Sequence, residues 1–197
     1  MIRLGYNEIL RKILHIFSSA IPLIYFFYID SKKIMLTCLA ISIFFAFIIE
    51  ISRIKLISFQ NIFNKYLGNM LRTKEKNGDI TGATWMLVGS FTTILLFPID
   101  IAVAALIFLS VGDAIAGLVG QFFPIYKVKD KSLSGTIAGI IGCIVSLIIL
   151  NTSIPLYIII IGAISAMLIE LLPLSINDNL TIPNFSGSVM ILADYIP

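Results

Sequence analysis

The chain has 197 residues, 58% of them hydrophobic and only 13% charged, with a mean hydropathy of +1.02 and a formal net charge of +3. A soluble domain carries about 25% charged residues, so this composition excludes that class and predicts one integral membrane domain, 1–197, with room for about seven spans. Cys38 and Cys143 lie in apolar runs without a CxxC or Cys/His partner, which argues against a disulfide framework or a zinc site.

Apolar spans are expected near 13–29, 34–51, 83–97, 101–123, 133–150 and 154–172, with a weaker one near 183–196. The fold class is therefore an all-α polytopic membrane protein. No A-x-A-like site follows the first span, which predicts a retained helix rather than a cleaved signal. The long 52–82 connection contains "LISFQNIFNKYLGNML", whose apolar residues recur at helical spacing, as in an interfacial amphipathic helix. If the spans alternate, twelve of the fourteen Lys and Arg residues fall on one side and only Lys32 and Lys33 on the other. The positive-inside rule then puts the N-terminus and the basic loops in the cytosol.

Polar residues inside these spans are few. Just before and at the start of the first, Glu8, Arg11, Lys12 and His15 share one helical arc. In the fourth, "SVGDAIAGLVG" sets Asp113 among Gly112, Gly117 and Gly120. The small residues suit a helix seam, but they do not explain a carboxylate in lipid, which is costly. A glycine-lined groove beside an Asp also suits phosphates and a divalent ion. At the start of the fifth span, Lys131, Ser132, Gly135 and Thr136 suit either an anion site or plain packing. "IELLPLSINDNLTIP" adds Glu170, Asp178 and Asn179. Glu50 stands one turn from Arg53, its expected partner. In the alternating topology all these groups fall toward the cytosolic side. Bases, carboxylates and glycines without a reactive Cys point to phosphoryl or nucleotidyl transfer, and a site within the membrane points to a lipid as second substrate. Walker A and the protein-kinase motifs are absent.

In order, "EILRKILHI", "TGATWMLVGSFTTILLFP", "SVGDAIAGLVGQFF", "KSLSGTIAG" and "IELLPLSINDNLTIP" resemble the CTP-dependent lipid kinases. That family includes dolichol kinase, phytol kinase and fungal CTP-dependent diacylglycerol kinase, and is distantly related to phosphatidate cytidylyltransferases. The resemblance implies transfer of the γ-phosphate of CTP to a lipid hydroxyl, with Mg2+ or another divalent cation and no nucleic-acid partner. It implies catalytic roles for Asp113, Arg11, Lys12 and Glu170, and His15, on the same arc as the basic pair, is added to them as a candidate proton acceptor. The family's motifs fall on Gly112, Gly120, Lys131, Ser132, Gly135 and Asn179, with Pro183 closing the last; together with the neighbouring Gly117 and Thr136 these are the expected nucleotide-binding residues, and the metal is expected at Asp113 and Asp178. Ser134 replaces a usual Glu, Asn177 a common Asp, and Gln121 and Pro124 a typical Arg and Gly. The alternatives are a cytidylyltransferase making a CDP-lipid and, from another class, a small transporter or scaffold.

Overall fold

A computed structural model of the chain describes residues 6–29, 31–129 and 131–195, with side chains from Ile9 onward. The chain is built from helices: α1 Tyr6–Phe17, α2 Ala20–Phe27, α3 Lys32–Lys55, α4 Ile57–Leu67, α5 Thr73–Lys76, α6 Gly82–Leu96, α7 Ile99–Ile107, α8 Asp113–Phe122, α9 Leu133–Leu150, α10 Leu156–Leu171 and α11 Asp178–Asp194. A π-helical turn, Phe108–Gly112, joins α7 to α8 without a break. The all-α expectation holds except for one small antiparallel ribbon, β1 Lys127–Val128 with β2 Lys131–Ser132.

Local chemistry explains the boundaries. Ser31 and Ser132 cap α3 and α9 by accepting from the amides of Ile34 and Gly135, and Asn177 caps α11 through the Asn179 amide. Pro98 and Pro155 stand immediately before α7 and α10, and Asn151 ends α9 in the left-handed conformation. The first apolar run is interrupted after α1. There the Ser18 and Ser19 hydroxyls donate back to the His15 and Ile16 carbonyls at 2.5 and 2.6 Å, and Pro22 follows in the first turn of α2.

Among the described residues four helical runs are long and apolar enough to cross a membrane: Ile9–Phe27, Lys32–Lys55, Ile99–Phe122 and Leu133–Leu150. The third and sixth expected spans form the shorter apolar helices α6 and α10, of 15 and 16 residues, and the weak last one is α11, with Pro183 inside it. The four runs differ in their surroundings. The most apolar stretch of Ile99–Phe122 is 78% buried, against 17% for Lys32–Lys55 and 28% for Leu133–Leu150. The α7–α8 rod is therefore the centre, with every residue from Ile101 to Leu109 buried. The peripheral helices carry apolar side chains on both faces, and those turned outward, such as Phe44 and Ile149, are 63% and 78% exposed. In water so large an apolar exterior would be an aggregation surface; a hydrocarbon solvent suits it.

Close approaches between helices use small residues. A side chain at Gly135 would lie 3.0 Å from the Gly120 Cα and closer still to the Ala116 carbonyl, so α8 and α9 meet backbone to backbone. At Gly142 the obstacle is only the end of the Ile115 side chain. Gly135→Ala is therefore expected to destabilise by about 1–3 kcal/mol. Gly142→Ala is expected to be near neutral, because Ile115 can shift and the helix gains up to about 1 kcal/mol in propensity. Melting curves of the two variants in detergent, compared with the parent protein, check the contrast.

Candidate functional site

Asp113 is the first residue after the π turn. Such a turn inserts an extra residue and rotates everything that follows, and it has no sequence signature. Asp113 is buried in this apolar rod, where a carboxylate requires a partner. Lys12 supplies it: Nζ lies 3.0 Å from Asp113 Oδ2 and also donates to the Asp113 carbonyl at 3.0 Å. The lysine stem reaches this point by lying over Gly117, where an added Cβ would come within 3.3 Å of Lys12 Cδ and nearer to Cε and Nζ. His15, one turn beyond Lys12, places Nδ1 3.3 Å from the same Asp113 oxygen. The alignment is not that of a hydrogen bond, and Nδ1 is buried without a hydrogen-bond partner among the described residues. Arg11, adjacent to Lys12 on α1, faces the cavity described below. The Glu8 side chain lies outside the described residues.

A second cluster gathers around Lys131 at β2. Its ammonium lies 3.2 Å from Glu170 Oε1 and 2.9 Å from Asp178 Oδ2, and it donates to the Glu170 carbonyl. Burial works against the Lys131 charge, but the Glu170 and Asp178 carboxylates outweigh it and raise its pKa above the ordinary lysine value. The two clusters lie within electrostatic range, Asp113 with Lys131 and Glu170 with Asp113 and Lys12. The two carboxylates expected to hold the metal, Asp113 and Asp178, are paired with different lysines. Asp178 shares Lys131 with Glu170, while Asp113 is held by Lys12.

The glycines and hydroxyls expected to bind nucleotide each have close protein neighbours. A Cβ at Gly112 would strike Cys143 and Met167, and one at Gly120 would lie 2.6 Å from Ser132 Oγ. Ser132 caps the Gly135 amide at 3.2 Å, Thr136 donates to the Ser132 carbonyl, and the Leu133 amide donates to the Tyr126 carbonyl. Ser134, in place of the acid, donates to the Phe123 carbonyl at 2.5 Å and accepts from the Ile125 amide, which ties α9 to the chain leaving α8. Asn179 Nδ2 donates to the Gly82 carbonyl at 2.7 Å. Gly89 admits the Asn179 carbonyl, the one that Pro183 cannot pair within α11.

A third network joins this end of the molecule. Arg53 Nε and Nη2 donate to Glu50 at 3.1 and 2.5 Å, as expected from their spacing. Arg53 also donates to the carbonyls of Glu75 and Asp79. Glu50 Oε1 accepts from the Thr81 amide and from the hydroxyls of Thr81 and Thr84. Glu75 in turn accepts from the amides of Arg72 and Gly82. Sequence reasoning assigned Glu75 nothing; its only signal was its place three residues after Arg72 at a helix start.

Between α1, α4, the 70–75 segment and α6 lies a cavity of about 440 Å³. Its walls are apolar, including Leu14, Phe63, Leu67, Met70, Met86 and Leu87, and polar groups from Arg11, His15, Arg72, Glu75 and Asn179 also border it.

No family model matches the chain. It is 29% identical over 183 residues to an uncharacterized protein, RP860, of Rickettsia prowazekii, covering 88% of each chain. It is also 29% identical over 99 residues to CTP-dependent diacylglycerol kinase 1 of Schizosaccharomyces pombe. That match spans 49% of this chain and 45% of the yeast protein. No solved structure matches.

Two outcomes follow from the ion pairs. Lys12→Met leaves Asp113 buried and unpaired, and is expected to destabilise by about 3–5 kcal/mol, whereas Lys12→Met with Asp113→Leu is expected to recover most of that loss. Melting of the two variants in one detergent measures the difference. For Lys131 the folded pKa is raised, so its ion pairs are fully formed below the ordinary value of 10.5 and are lost as pH rises through the higher folded value. Lys131→Met is accordingly expected to lower the melting temperature at pH 8 and to converge on the parent protein at strongly alkaline pH.

Proposed function

We propose that this protein is a CTP-dependent lipid kinase that transfers the γ-phosphate of CTP to the hydroxyl of a membrane lipid alcohol. Polyprenol, phytol-like alcohol and diacylglycerol all belong to that acceptor class. The observation that carries the reading is the convergence of Lys12, His15 and Asp113 with Lys131, Glu170 and Asp178 at one end of an apolar helical bundle. The partial match to a CTP-dependent diacylglycerol kinase supports the same chemistry. On the positive-inside argument this end faces the cytosol, where CTP is found.

Phosphoryl transfer relies on positioning and charge stabilisation. On this reading Lys12, Arg11 and Lys131 are the bases that neutralise phosphate oxygens once the nucleotide and its cation are bound. The lipid oxygen attacks the γ-phosphorus in line, the bond from phosphorus to the β-phosphate oxygen breaks, and CDP leaves. The hydroxyl proton passes to His15 or to a carboxylate of the cluster. Among the described residues no group of three or more His, Cys, Asp or Glu could hold a metal ion on its own. Mg2+ needs only one or two carboxylates when it arrives on phosphates. Glu170 and Asp178 fit that requirement, since their oxygens already converge on one cation, the Lys131 ammonium. A bound divalent ion would supply charge neutralisation of the phosphates.

The test is a screen of lipid alcohols with purified protein and γ-labelled CTP, with ATP as control. The expected products are lipid phosphate and CDP. Asp113→Asn is expected to reduce turnover by at least about a hundredfold, as for loss of one transition-state electrostatic contact. Release of pyrophosphate would identify a cytidylyltransferase instead, and equal CTP consumption by Asp113→Asn would overturn the proposed role of the site.

A further inference from the structure

The cavity between α1, α4 and α6 is not accounted for by the ion-pair clusters, and its chemistry differs from theirs. Its apolar residues come from three separate elements, Leu14 on α1, Phe63 and Leu67 on α4, and Met86 and Leu87 on α6. A volume of about 440 Å³ lies within the range of sites that take small organic ligands, which are also mainly apolar with a few placed polar groups. It meets the Asp113 cluster at a single side chain: His15 lines the cavity and lies 3.3 Å from Asp113, which does not line it.

Its walls are fixed by the Glu50–Arg53 pair. Arg53 stacks its guanidinium 5.7 Å from the centre of the Phe63 ring, which places α4 against the space. The same guanidinium holds the Glu75 and Asp79 carbonyls, and Glu50 holds Thr81 at the start of α6. One buried pair thus anchors the α4, 75–79 and α6 walls of the cavity. A cavity built only by loose packing would have no such anchor.

We infer that this cavity is the acceptor site, holding the hydroxyl-bearing end of a long-chain lipid alcohol with its oxygen at His15. The inference rests on the kinase reading for the chemistry that follows binding, but not for binding itself. An aliphatic chain fits the Leu, Met and Phe lining, while Arg11, Arg72 and Asn179 offer donors near the hydroxyl. The hydroxyl proton then has a near receiver in the His15 imidazole: Nδ1 faces Asp113, which leaves Nε2 to the alcohol oxygen, while the Glu75 carboxylate is already engaged by the Arg72 and Gly82 amides. Asp113 acts on that imidazole from the other side.

Photolabelling tests the assignment in the full-length protein reconstituted without nucleotide. The probes are hexadecanol carrying a diazirine and the corresponding hexadecane without the hydroxyl. The alcohol is expected to label α1, α4 and α6 peptides and to be displaced by excess oleyl alcohol or dioleoylglycerol, whereas the alkane labels the outer surface only. Ala83 lines the cavity but is otherwise exposed, so Ala83→Trp fills the space without opening the core. It is expected to reduce alcohol labelling at least tenfold and to raise the KM for the lipid while leaving that for CTP unchanged. His15→Gln is expected to keep the labelling and lose turnover. Equal labelling by both probes, or labelling indifferent to Ala83→Trp, overturns the acceptor site even if CTP-dependent phosphorylation is observed. Full turnover by His15→Gln overturns the role of the imidazole. Selective labelling with no nucleotide turnover leaves the cavity as a lipid site and removes the kinase reading.

Discussion

A carboxylate in the middle of an apolar helix has to be neutralised from outside that helix, and the Lys12–Asp113 pair meets this constraint. The rod formed by α7 and α8 contributes no base of its own within Ile99–Phe122. The compensating charge must therefore come from another segment, and α1 brings it from 101 residues away in sequence. That requirement fixes how α1 docks. Lys12 must lie across Gly117, which carries no side chain to obstruct it, and His15 follows onto the same carboxylate because it stands one turn along. A breaking partner in so dry a place is far more costly than the pair is favourable, so the contact specifies an arrangement more than it adds stability.

Glu50 and Arg53 solve the same problem differently. Both are buried and both lie on α3, so their pairing alone says nothing about the rest of the chain. Their remaining hydrogen-bonding capacity does. Arg53 has donors left over after Glu50 and spends them on two main-chain carbonyls, while Glu50 accepts from Thr81 and Thr84. The 70–82 connection, which has little apolar surface to bury, is thereby ordered by polar contacts. Guanidinium geometry suits this use, since a lysine could not reach several acceptors in one plane.

The helices and their polar residues were legible because both obey short-range rules. Apolar runs announce α3, α6, α7 with α8, α9 and α10, and Glu50–Arg53 follows from helical spacing alone. Serine and asparagine caps mark where α3, α9 and α11 begin. The neighbours of each glycine were not legible, because a small residue leaves room for a substrate and for another helix alike. Gly112, Gly117, Gly120 and Gly135 are filled by Met167, Lys12, Ser132 and the α8 backbone. The π turn before Asp113 has no residue pattern, and the acceptors of Arg53 are carbonyls, which every residue possesses. The cavity was hidden for a related reason: its walls come from α1, α4 and α6, each of whose apolar residues suits lipid equally well.

Charge accounting links the clusters to the proposed chemistry. Lys12 and Asp113 formally cancel, while around Lys131 one ammonium faces two carboxylates, Glu170 and Asp178. The two ion-paired clusters together are thus formally one negative charge in excess, before His15 and the neighbouring Arg11 are counted. A triphosphate approaching alone would meet repulsion from carboxylates in a medium that screens poorly. Lysines already occupied by carboxylates cannot serve phosphates unless those carboxylates are given another cation. On the kinase reading, the nucleotide and a divalent ion therefore belong together at this end of the bundle, the ion taking over Glu170 and Asp178 and freeing Lys131 for phosphate oxygens. The acceptor alcohol, being neutral, faces no such restriction, and a mainly apolar cavity separated from Asp113 by a single imidazole is the environment that suits it.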